Sequence, residues 1–184
     1  MLRFSDLSPE EAEDYRQVYV ASLPALVARL RQRLTRTGGP AVDGTVHSLP
    51  ALGAWLTTQL VDDAEPDGLS GTPRWWGDAE SASIPEGVPG RLLTAQELRL
   101  VDEVGAYLAT VLAEAVPGAE WIVLHDKRHK NNVAENETML KMPNRDVISP
   151  VDFVYGVAVR RLLYQRSPEP GVMDALARKY VPGC

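Results

Sequence analysis

The stretch from Val101 to Asp126, VDEVGAYLATVLAEAVPGAEWIVLHD, constrains this chain more than any other: it reads as a long amphipathic helix, a Pro-Gly stop and a tryptophan-led strand. Leu98, Val101, Val104, Leu108, Val111, Leu112 and Ala115 recur at three- and four-residue steps, which places them on one helical face. Thr94 and Glu97 precede this run at the spacing of a capping box, in which hydroxyl and carboxylate each satisfy the other's backbone N–H. Gly105 costs the helix up to about 1 kcal/mol relative to alanine, so its presence predicts close approach by another element. Asp102, Glu103, Glu114 and Glu120 read as the solvated rim of this unit.

A helix with so wide an apolar face must be covered, and the flanking segments say by what. Beyond Pro117-Gly118 the periodicity becomes strand-like over 121–124, 138–142 and 146–148. The connections are too short for helical crossovers, so a small antiparallel sheet of three strands is expected. Ser149-Pro150-Val151-Asp152 then caps a helix that is apolar nearly all round, and a last short helix spans about 172–180.

At the other end, Ser8-Pro9-Glu10-Glu11 opens a helix running to about Ala21. Pro24 either kinks it or starts a new helix behind Ser22, and Leu23, Leu26, Val27, Leu30 and Leu34 keep helical spacing up to Gly38-Gly39-Pro40. Arg29, Arg31, Arg33 and Arg36 read as its solvent face. SLPALVARLRQRL from Ser22 matches SLPALGAWLTTQL from Ser48 at eight of thirteen positions. The echo implies two serine-capped helix starts, packed as a hairpin, and two copies are too few for a repeat protein. The fold class expected is α+β: N-terminal helices, a long central helix, a small antiparallel three-stranded sheet and C-terminal helices. Residues 1–184 form a single domain, with a helical layer over 1–61, a Pro/Gly-rich loop over 62–92 and an α+β core over 93–184.

These landmarks resemble an uncharacterised family of small actinobacterial proteins. Its Ser-Leu-x-x-Leu helix start, Tyr-Leu-x-Thr-Val helix and Val-Pro-Gly-Ala-x-Trp lead into a strand correspond to Ser48–Leu52, Tyr107–Val111 and Val116–Trp121. The resemblance covers about 48–148, the third motif being its most specific part. Ala109 stands where the family has glycine, and 125–137 is longer than the family's tight Asn-Gly turn. It implies a fold and brings no activity, catalytic residue or cofactor with it.

Composition narrows the function classes. A net charge of −6 disfavours a general nucleic-acid binder, since phosphate neutralisation needs surplus Lys and Arg. No apolar run reaches the roughly 18–20 residues that span a bilayer, and the acidic N-terminal stretch is unlike a signal peptide, so no membrane association and a cytoplasmic location are expected. The single cysteine, Cys184, leaves no internal disulfide and no cysteine metal site. Phosphate loops, dinucleotide fingerprints and nucleophile elbows are absent, and no catalytic, cofactor-binding or metal residues are assigned.

Two segments keep unexplained chemistry. Trp75-Trp76 sits in the aperiodic loop 62–91; one indole is expected to pin the loop to the body while the other, beside Arg74, either stays exposed as a partner-binding anchor or belongs to a loop simply stapled to its own core. His125, Lys127, Arg128, His129 and Lys130 form a basic hairpin that reads as an ordinary solvated turn, as a protein-recognition element or, in a less favoured reading, as a nucleic-acid or phosphate contact. A non-enzymatic interaction, adaptor or immunity-type protein, with another protein as partner, is the reading these residues suggest. The alternative is a small-ligand-binding protein or enzyme with its site between the sheet and the 62–92 loop. Facing ionisable groups near Asp146, Asp152 or His125 would favour it, and Asp146 opposite Asp152 is the acid–base pair considered.

Overall fold

The first and longest helix, α1 (Pro9–Thr37), starts as its capping box dictates: Ser8 Oγ accepts from the Glu11 N–H at 3.2 Å and the Ser8 N–H donates to Glu11 at 2.8 Å. In this computed structural model, which describes residues 4–60, 71–76, 84, 86–125, 134–166 and 171–181, α1 passes through Pro24 without ending. Leu23, Leu26, Val27, Leu30 and Leu34 on both sides of the proline are buried together. Their burial, worth about 1.5–3 kcal/mol each, outweighs the roughly 3 kcal/mol a mid-helix proline costs. Gly38, at φ 65°, ends the helix in the left-handed conformation that glycine tolerates.

The serine echo therefore does not mark two like helix starts. Ser22 lies inside α1, and Ser48, before α2 (Leu49–Gln59), makes no cap hydrogen bond. Its hydroxyl instead meets the Thr45 carbonyl at 2.7 Å and the Tyr107 hydroxyl at 2.6 Å. The helix that α2 chiefly packs against is not α1 but α5 (Val172–Tyr180).

The central helix, α3 (Ala95–Ala115), has the expected capping box, with the Thr94 N–H donating to Glu97 at 2.8 Å. It lies between α1 and α4 (Pro150–Leu162). Gly105 is the point of closest approach to α4: a Cβ there would stand 2.9 Å from Val151 Cα. The strands β1 (Glu120–Val123), β2 (Thr138–Lys141) and β3 (Val147–Ile148) form an antiparallel sheet in the order β1-β2-β3, with Trp121 opposite Leu140 and Leu140 opposite Ile148. The fold is thus α+β with a helical N-terminal part and a three-stranded sheet. No helix among the described residues is long and apolar enough to cross a membrane.

Two charges read as solvated are inside. Arg33 and Glu103 are both buried and joined by two hydrogen bonds, Nε to Oε2 at 2.8 Å and Nη2 to Oε1 at 3.2 Å. The bidentate guanidinium–carboxylate geometry makes this burial tolerable. Arg91 and Glu97 repeat the arrangement at 2.8 Å for each bond.

Candidate functional site

The 71–76 segment shapes the site because its two tryptophans fold into a 3-10 turn, Arg74–Trp76, rather than an extended strand. Side chains of a strand point alternately to opposite faces, whereas a 3-10 turn sets neighbours about 120° apart. Both indoles can then turn inward, and the expectation of one exposed ring is overturned: Trp75 is 3% and Trp76 5% exposed. Their rings meet edge to face at 5.8 Å, and both pack on Tyr155 of α4, at 5.8 and 5.5 Å. Arg74 remains exposed.

Trp75 also donates its indole N–H to Asp102 Oδ1 at 3.0 Å. Burial pushes the Asp102 carboxyl up to about 6, against the opposing pull of the Trp75 N–H and the Arg29 charge. Far from a solvated rim, Asp102 lines a cavity of about 370 Å³ between α1 and the 71–76 segment, where Arg29, Arg74 and Arg99 also stand.

A second cavity of about 160 Å³ adjoins the first, sharing Tyr15, Tyr19 and Trp75 as walls. Phe4 closes one side, packed edge to face on Tyr15 at 5.0 Å, and Tyr15 stacks nearly parallel to Tyr19 at 6.3 Å. The rest of its lining is partly polar: Glu137 just before β2, Thr138 at its start, the α4 cap Ser149, and Asp152 in the first turn of α4. Ser149 caps α4 by accepting from the Asp152 N–H at 3.3 Å.

There the carboxyls of Glu137 and Asp152 line the same chamber. Neighbouring carboxylates repel, which favours the protonated form of Glu137. Burial first, then the Asp152 hydrogen bond and charge, push Glu137 up to about 8. Burial likewise raises the phenols of Tyr15 and Tyr19 above the ordinary tyrosine range, keeping both neutral. The buried hydroxyls of Tyr19 and Thr138 have no hydrogen-bond partner among the described residues.

Other residues singled out from the sequence lie elsewhere. Asp146 does not face Asp152: it is drawn away by Lys179, at 2.8 Å, and the Tyr180 hydroxyl, at 3.2 Å. His125 is exposed, with Nδ1 3.4 Å from Glu135. Lys127, Arg128, His129 and Lys130 lie outside the described residues. Among the described residues no three His, Cys, Asp or Glu side chains are grouped so as to hold a metal ion.

The acidic partner of Asp152 is Glu137, which the sequence reading passed over. Glu137 stands immediately before an apolar strand and fifteen residues ahead of Asp152, and nothing in linear spacing joins them. The available signal was a carboxylate abutting strand residues Thr138-Met139-Leu140, where a charge has no local partner. Comparison with family models, curated proteins and solved structures gives no match to this chain.

Proposed function

We propose that this protein binds a small molecule in the two-chambered cleft bounded by α1, the 71–76 turn and the corner between β2 and α4. The observation that carries the reading is the placing of two carboxyls, Glu137 and Asp152, in one aromatic-walled cavity. Stability does not call for such a pair, since well-packed apolar side chains in place of buried ionisable groups are often as stable or more so. Unpartnered hydroxyls at Tyr19 and Thr138 each cost on the order of 1–3 kcal/mol of desolvation, which a ligand's hydrogen bonds would recover. A concave apolar surface with a few convergent polar groups and perturbed carboxyls is what small-molecule sites have in common. A protein-interaction role finds less support, because neither indole of Trp75-Trp76 is exposed to serve as its anchor.

A thermal-shift screen of a fragment library holding cations, anions and neutral aromatics, followed by tryptophan fluorescence titration, tests this. Hits should raise Tm, perturb Trp75 emission, and bind more weakly to Tyr19→Phe and Thr138→Val. Both variants should be at least as stable as the parent, because each removes only an unpartnered hydroxyl. A library without a single hit, or hits indifferent to both substitutions, would sink the proposal.

A further inference from the structure

We propose that the smaller chamber, where the rings of Phe4, Tyr15, Tyr19 and Trp75 face the carboxyls of Glu137 and Asp152, receives the cationic head of an organic ammonium compound. This deepens the small-molecule reading above and rests on it. Aromatic faces carry negative quadrupole potential and attract ammonium groups by about 0.5–2 kcal/mol each, and walls of several rings are how proteins recognise alkylated ammonium. The polar wall supplies the complementary charge. A cation placed between rings and carboxyls favours the ionised form of Glu137, so binding displaces the proton that burial keeps there; a neutral guest makes no such gain.

The charges around the chamber agree. On α1 the facing titratable groups are the neutral phenols of Tyr15 and Tyr19; on α4 they are Asp152 and the phenol of Tyr155; just before β2 there is Glu137, and on α3 there is Asp102 behind Trp75. Arg74 is the nearest cation from the 71–76 turn, and it lines the larger chamber instead. No cationic side chain lines the smaller chamber among the described residues, so nothing already fills the role of counter-ion. Size agrees as well: about 160 Å³ is well under the roughly 300–1,000 Å³ of drug-sized sites, and close to the cavity of about 150 Å³ known to hold benzene. A trimethylammonium group is of that order.

Isothermal titration calorimetry on the full chain decides the matter, using choline, tetramethylammonium and benzyltrimethylammonium against 3,3-dimethylbutan-1-ol, the neutral carbon isostere of choline. At least one ammonium probe should bind about tenfold or more tightly than the isostere. Its Kd should fall with rising pH below about 8, by up to tenfold per pH unit, and its binding heat should vary with buffer ionisation enthalpy as one proton is released. Glu137→Gln should weaken the ammonium probe about tenfold and abolish the buffer dependence while leaving the isostere unchanged. Asp152→Asn provides a second variant, and the Tm of each establishes that it is folded. An isostere that binds as well as the cations, cations indifferent to both variants, or no binding by any of the three overturns the ammonium assignment. Fragment hits sensitive to Tyr19→Phe would survive all those results, so the broader site reading falls only with the screen.

Discussion

Glu103 and Glu137 are both buried carboxyls, and the fold meets the cost of each in a different way, one with a guanidinium and the other with a proton. Arg33 holds Glu103 through two hydrogen bonds, and the half-exposed Arg29 stands 3.8 Å away, so removing Arg33 leaves the buried carboxylate only that longer contact. Arg33→Ala should destabilise the protein by about 3–5 kcal/mol, whereas Arg33→Met combined with Glu103→Leu should cost far less, as apolar pairs of similar volume usually do. Urea unfolding of the single and double variants checks this; a double variant as unstable as Arg33→Ala would refute it. For Glu137 the sign of the linkage follows from its proton. The folded-state value near 8 lies above the usual 4.5, so across that interval the native state binds more protons than the unfolded chain. Stability is then fully present below about 4.5 and lost as pH rises towards 8. Burial of Asp102 adds a loss of the same sign between its usual 3.8 and about 6. Glu137→Gln keeps a donor for Asp152 and removes the titrating proton, so Tm of the variant should exceed that of the parent at pH 9 and lose most of its fall between pH 6.5 and 9. Parallel Tm–pH curves for the two proteins would contradict this.

At the scale of elements, local signals were legible and convergence was not. The caps at Ser8, Thr94 and Ser149 and the apolar stripe of α3 involve residues three or four apart, which fold chemistry can specify within one turn. The same locality explains the failures. Pro24 reads as a helix end because its cost is local, while the burial that overrides it comes from packing against α3. Asp102 and Glu103 read as solvated because carboxylates usually are, and only the arrival of Trp75 and Arg33 from other segments gives them partners. The Trp75-Trp76 turn failed for a third reason: no pattern distinguishes a 3-10 turn from extended chain over three residues. Gly105 was legible as a close approach, and its contact partner makes it quantitative. A Cβ at 2.9 Å from Val151 Cα meets backbone, which cannot swing aside as a side chain could, so α3 and α4 must separate. Gly105→Ala should therefore destabilise by about 1–3 kcal/mol despite alanine's better helix propensity, a drop of several degrees in Tm for a chain of this length. A Tm unchanged or raised by the substitution would show that the two helices can part freely.

Taken as a whole molecule, the chain assembles the smaller chamber from segments far apart in sequence: Phe4 and α1 near its start, β2 and α4 well beyond its middle. Beside the chamber, a hydrogen bond joins the segment before α1 to the residues before β2, from the Asn136 side-chain amide to the Leu7 carbonyl at 2.8 Å. Asn136 has φ 64°, in the left-handed region where asparagine is one of the few tolerated residues besides glycine. Its backbone shape and its tether can therefore be separated by experiment. Asn136→Gly keeps the turn at no steric cost and deletes only the bond to Leu7, leaving the segment with Phe4 held by ring packing on Tyr15. Local opening draws on the few contacts that hold a segment rather than on global stability. Amides of residues 4–8 should exchange faster in Asn136→Gly, by about fivefold to tenfold for one net hydrogen bond of about 1 kcal/mol, while those of α3 stay as slow as in the parent. A guest in the chamber should restore the protection by adding contacts to Phe4 and Thr138 together. Hydrogen-exchange mass spectrometry with and without the ammonium probe reads both effects. Exchange at 4–8 that is unchanged by the substitution would mean the tether plays no part in closing the wall.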